Sequence, residues 1–140
     1  MVEKYETERY EIIIGFIPGY QPDINLSRIE NIKKNNNITV INSLYRSISV
    51  KNPFVIVSAV IDETIVSYPV EWGCPYTGEP VYRITCTRNP KFNKSPEEFR
   101  SAIIYNVEEL KKELKQSTVT VTESKVKMMY FTNDNESEGN

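Results

Sequence analysis

SPEEFRSAIIYNVEELKKELK, residues Ser95–Lys115, carries the signature of one long amphipathic helix. Ser95 stands as an N-cap, Pro96 takes the first helical position and Glu98 lies three residues after the cap, which together form a capping box. Phe99, Ile103, Val107, Leu110 and Leu114 then recur at helical spacing and make one apolar stripe. Lys111, Lys112 and Lys115 lie where the negative end of the helix dipole favours cations. A long helix with a single apolar face needs a surface to lie on, and the sequence around it reads as strands.

VYRITCT (Val81–Thr87), TIVSYPVEW (Thr64–Trp72) and FVIVSAVI (Phe54–Ile61) are rich in β-branched and aromatic residues. Only Asp62-Glu63 separates the last two, which predicts a hairpin. ITVINSLYRSISV (Ile38–Val50) is expected to be a further strand, and YEIIIGFI (Tyr10–Ile17) a buried one that ends at Pro18-Gly19. INLSRIENIKK (Ile24–Lys34) suits a short surface helix, broken by Asn35–Asn37. STVTVTE (Ser117–Glu123) and KVKMMYF (Lys125–Phe131) predict two closing strands. No helix separates the central strands, so the sheet should be antiparallel. The expected architecture is α+β: a single domain with a mainly antiparallel β-sheet of five or six strands and one long helix packed on it. Its expected extent is residues 9–132, after a flexible leader (1–8) and before a disordered acidic tail (133–140).

The chain has 140 residues, of which 39% are hydrophobic and 26% charged, a balance that fits one soluble globular domain. No apolar run reaches bilayer length, and the charged start MVEKYETERY lacks the apolar centre of a signal peptide, so a cytoplasmic protein without a membrane partner is expected. The net charge is -2, and without the acids of NDNESEGN the remainder is close to neutral. Such a body lacks the basic surface that DNA binding needs. Histidine is absent, which removes Ser-His-Asp and Cys-His catalysis and histidine-containing zinc sites. Cys74 and Cys86 alone cannot complete a four-cysteine site, and read as reduced thiols in or beside a strand. No Gly-rich phosphate loop occurs. The expectation is no cofactor, no metal and no catalytic constellation.

Candidate binding residues cluster in WGCPYTGEPVYRITCTRNPKF, Trp72–Phe92. Gly73, Pro75, Gly78 and Pro80 read first as turn chemistry. In the second turn Arg88 can hold a phosphate, Asn89 can pair with a base edge, and Phe92 or Trp72 can stack on a ring. The plainer alternative is a solvated loop with Phe92 packed on Phe99 or on the sheet. Arg46, beside Tyr45, and Arg100, in the first turns of the long helix, complete the set. Arg100 opposes the helix dipole, so it needs either a bound anion or an ion pair to Glu97 or Asp62. The expected ligand-binding residues are therefore Arg88, Asn89, Phe92, Trp72, Arg100 and Arg46.

EWGCPYTGEPVYRITCTRNPKF (Glu71–Phe92), the capped helix and LKKELKQSTVTV (Leu110–Val121), taken in that order, resemble the phage-encoded anti-Thoeris sponge proteins, the first family of Thoeris anti-defence proteins. The resemblance covers about Tyr68 to Val121. It implies a non-enzyme that assembles as a homodimer or larger homo-oligomer and sequesters a small nucleotide-derived signal, a cyclic ADP-ribose isomer or a cyclic oligonucleotide, to suppress host defence. The alternative is a structural or partner-binding protein, a virion component or an inhibitor, without a small-molecule ligand.

Overall fold

The computed structural model describes residues 1–19 and 21–133. Its strands are β1 (Val2–Gly15), β2 (Val60–Val66), β3 (Glu79–Thr87) and β4 (Thr120–Phe131). They form one antiparallel sheet in the order β2-β3-β1-β4. The helices are α1 (Leu26–Asn35), α2 (Ile38–Ser49) and α3 (Pro96–Glu113), with a short 3-10 turn at Val70–Trp72. The α+β expectation holds, with four strands rather than five or six.

Period-two alternation in β1 sets the layers. Tyr10, Ile12 and Ile14 are buried on one face, paired with Cys86, Ile84 and Tyr82 of β3. Phe99, Ala102, Ile103 and Leu110 of α3 close that face into the core, and α2 packs against α3 and β2. The long helix is capped as its sequence dictates, with Ser95 Oγ accepting from the Glu98 N–H at 3.2 Å. The other face of the sheet carries Ile13 and Gly15 of β1, Glu79 and Val81 of β3, Val66 of β2 and Thr120 of β4.

Four expectations are corrected. Ile38–Val50 is helix α2 rather than a strand: Asn37 caps it by accepting from the Val40 N–H at 3.0 Å. Ile41, Tyr45 and Ile48 then fall on one buried helical face, and tertiary burial overrides the β-branched propensity. Asp62-Glu63 is no hairpin but the middle of β2, where Asp62 faces Arg83 and ion-pairs with it at 2.7 Å. Ser117–Phe131 holds one strand, because β1 is long enough to pair with it from Val2 to Ile13. The expected leader, residues 1–8, is consumed in that pairing. Its acids face lysines across the ladder, Glu6 opposite Lys127 and Glu8 opposite Lys125. Of the expected acidic tail, residues 134–140 lie outside the described residues. Among the described residues, no helix is long and apolar enough to cross a membrane.

Candidate functional site

The predicted arginine turn is occupied with structural work. Arg88 is buried, its Nε donates to Glu8 Oε2 at 2.6 Å and its Nη1 donates to Asn93 O at 2.9 Å. The guanidinium holds the Glu8 carboxyl below its ordinary range, chiefly through that hydrogen bond. Asn89 Oδ1 accepts from the Lys91 N–H at 3.0 Å and so shapes the turn. Phe92 packs edge-on against Tyr130 of β4 at 6.0 Å, the sheet contact of the plainer alternative rather than one with Phe99. Trp72 lies on the 3-10 turn with 74% of its surface exposed. Arg46 is exposed on α2. Arg100 lies in a groove with Tyr10 and Glu123, and its ion partner is Glu123 at 3.9 Å rather than Glu97 or Asp62. These six residues are not brought to one place.

The two cysteines are buried and free, as reduced thiols. Burial raises the Cys86 thiol to about 11, so it is a poor nucleophile near neutral pH.

A different cleft forms where β1, β2 and β3 end on the face that the helices leave open. Its volume is about 510 Å³, in the range of small-molecule sites. Ile13, Val66 and Val81 from the strands and Ile17 and Pro75 from the loops give it apolar walls. Ser117, Thr118 and Thr120 add hydroxyls, and Tyr68, Glu79 and Gln116 supply the larger polar groups.

The loop from Ser67 to Gly78 builds the central contact. β2 ends at Val66, and Pro69 stands at the start of the 3-10 turn Val70–Trp72. Gly73 (φ 101°) and Gly78 (φ 89°) then turn the chain back through left-handed conformations that favour glycine. Tyr68, just past β2, thereby meets Glu79, the first residue of β3, and its hydroxyl donates to Glu79 Oε1 at 2.8 Å. Among the described residues no lysine or arginine pairs with Glu79, and none lines the cleft. Gly15 forms part of the floor. A Cβ at that position would stand 2.5 Å from Glu79 Oε2 and 2.7 Å from Gln116 Oε1. The glycine is therefore what lets these two side chains close over the strand. An oriented carboxylate without a counter-charge, beside apolar walls and hydroxyls, suits an organic cation with a partly apolar body.

In the sequence Gly73–Pro80 reads as turn chemistry, and no motif marks Tyr68, Glu79, Gln116 or Gly15. The one available signal was a charged Glu79 between a glycine and a proline at a strand entrance.

A family model described as SAM lyase matches residues 5–132. No curated protein matches the chain. Among solved structures, a phage SAM lyase in complex with S-methyl-5'-thioadenosine is similar at a TM-score of 0.48 and 16% sequence identity, over 89% of this chain and 90% of that chain. The family match overturns the expectation of a non-catalytic sponge for a cyclic ADP-ribose or other cyclic nucleotide signal. It replaces the anti-Thoeris resemblance with a family of enzymes. The missing histidine misled that expectation, since it excludes only histidine-dependent chemistry.

Proposed function

The chain belongs to the SAM lyase family, and from that membership we propose that it cleaves S-adenosylmethionine in the cleft where β1, β2 and β3 end. The observation that carries the proposal is the Tyr68–Glu79 pair, an oriented carboxylate with no basic partner among the described residues. S-adenosylmethionine is cationic at its sulfonium and at its α-ammonium, and a carboxylate of this kind complements such a charge. Ile13, Val66, Val81 and Pro75 offer apolar surface to the nucleoside, and the hydroxyls of Ser117, Thr118 and Thr120 offer partners to its polar edges.

A lyase breaks the carbon–sulfur bond without water. The route that fits these residues is internal displacement. An oxygen of the substrate's own carboxylate forms a bond to Cγ, the Cγ–S bond breaks, and its electron pair stays on sulfur. The products are a neutral thioether, 5'-methylthioadenosine, and a five-membered lactone that keeps the ammonium. No proton moves. Elimination would instead require removal of an unactivated Cβ proton, for which a carboxylate is too weak a base. A cleft without lysine or arginine among its described lining leaves the attacking carboxylate unpaired. The protein's task is then to hold the chain folded so that this oxygen stands in line behind the Cγ–S bond.

Incubation with S-adenosylmethionine in D₂O, followed by mass spectrometry, tests this. The expected result is 5'-methylthioadenosine and the lactone in equal amounts, with no deuterium on carbon. A vinyl amino acid would replace displacement by elimination, and unchanged substrate would remove the reading.

A further inference from the structure

Gln116 is a second oriented acceptor in the same cleft. α3 ends in a Schellman motif: the Gln116 N–H donates to Lys111 O at 3.0 Å and the Lys115 N–H to Lys112 O at 3.2 Å. Lys115 between them is left-handed, with φ 54°. This fixes the backbone of Gln116 against the helix end. Its Nε2 then donates to Ile17 O and to Leu114 O, both at 2.9 Å. Two carbonyls on one side of an amide settle which atom faces them, because an amide oxygen there would meet acceptors only. Oε1 is left toward the cleft, where it accepts no hydrogen bond from the described residues.

Glu79 Oε2 and Gln116 Oε1 both approach the point where a Cβ of residue 15 would stand, at 2.5 and 2.7 Å. Two acceptors, one of them charged, thus converge over Gly15 without a donor between them among the described residues. Such a pair repels itself until a group with several N–H bonds enters, and a primary ammonium satisfies both oxygens and the charge.

We infer that Gln116 Oε1 and Glu79 Oε2 together hold the α-ammonium of the substrate's amino-acid half, which makes Gln116 a specificity residue. The inference rests on the S-adenosylmethionine reading above and deepens it. The placement has a chemical reason. Internal displacement discharges the sulfonium, so an anion beside sulfur would stabilise the ground state more than the transition state and slow the step. The ammonium keeps its charge throughout. An anion there anchors Cα without that penalty, and the carboxylate on the same carbon remains free to reach Cγ.

Calorimetric titration of wild type, Gln116→Met and Gln116→Asn with three unreactive probes tests the assignment. S-adenosylhomocysteine carries the ammonium but no sulfonium, its des-amino counterpart lacks the ammonium, and 5'-methylthioadenosine lacks the whole amino-acid half. Wild type should bind S-adenosylhomocysteine at least about tenfold more tightly than the des-amino compound. Each variant should lose about tenfold of that preference, with affinity for 5'-methylthioadenosine changed by no more than about twofold. If one variant fails to fold, the other decides. A wild type that does not discriminate, or variants that keep its preference, overturn the inference. An equal loss for 5'-methylthioadenosine overturns it too, and turns Gln116 toward the adenine. A wild type that binds none of the probes removes the underlying reading and the inference with it.

Discussion

Glu79→Gln is expected to lower kcat/KM for S-adenosylmethionine roughly 10²-fold, with the protein still folded. The substitution keeps the volume and an acceptor for the Tyr68 hydroxyl, which reaches Glu79 at 2.8 Å. It removes the charge. A hydrogen bond to a charged partner is worth about 1.5–3 kcal/mol, or roughly 10- to 150-fold in affinity, so most of the loss should appear in KM. A part should appear in kcat as well, because a loosened Cα holds the attacking carboxylate less well in line. Glu79 is only partly buried and makes no ion pair with the described residues, so stability should change little. Tyr68→Phe, which frees one carboxylate oxygen, should cost less, about 0.5–1.5 kcal/mol in transition-state stabilisation. Steady-state kinetics with thermal melts of both variants check this. Wild-type kinetics for Glu79→Gln would mean that the cleft is not the site.

Gly15→Ala should separate activity from folding still more sharply. Gly15 lies in β1 outside the left-handed region, so alanine fits the backbone, and it relieves the entropic cost of a strand glycine by about 0.5–1 kcal/mol. The new methyl would meet Glu79 Oε2 at 2.5 Å and Gln116 Oε1 at 2.7 Å, both at the ends of side chains. Glu79 can swing away at small cost to the fold, and Gln116, tied to two carbonyls, must shift slightly, a cost that the relieved strand glycine offsets. The midpoint of thermal unfolding should therefore stay within about 4 °C. Activity should fall by about 10²-fold or more, since displacements of about an ångström at a site have effects of that size. An alanine variant with full activity would contradict the placement of these oxygens.

Much of the fold was legible because local chemistry and burial agree there. The Ser95 cap, the Phe99–Leu114 stripe and the alternation of Tyr10, Ile12 and Ile14 each point to the observed element. Ile38–Ser49 was illegible for the opposite reason: its residue types favour a strand, while its burial at Ile41, Tyr45 and Ile48 follows a helix. The strand β1 before Tyr10 could not be read either. It is a polar ribbon, held by cross-strand pairing with β4 rather than by an apolar face of its own. The site was hidden because no local motif makes it. Tyr68 and Glu79 meet through a loop reversal, Gly15 matters for the room above it, and Gln116 arrives from the end of α3. The helix terminus gave no glycine signal, since lysine holds the left-handed position. Arginine, the usual pointer to a phosphate, pointed elsewhere. Arg88 neutralises Glu8, and the substrate proposed for this chain carries no phosphate.

The most direct measurement is a crystal structure with S-adenosylhomocysteine bound. The account predicts the ligand in the cleft over Gly15, with its ammonium within hydrogen-bond distance of Glu79 and Gln116 and its thioether away from both. Ligand seated instead in the Arg100 groove or at the Arg88–Phe92 turn, with the Gly15 cleft empty, would contradict it.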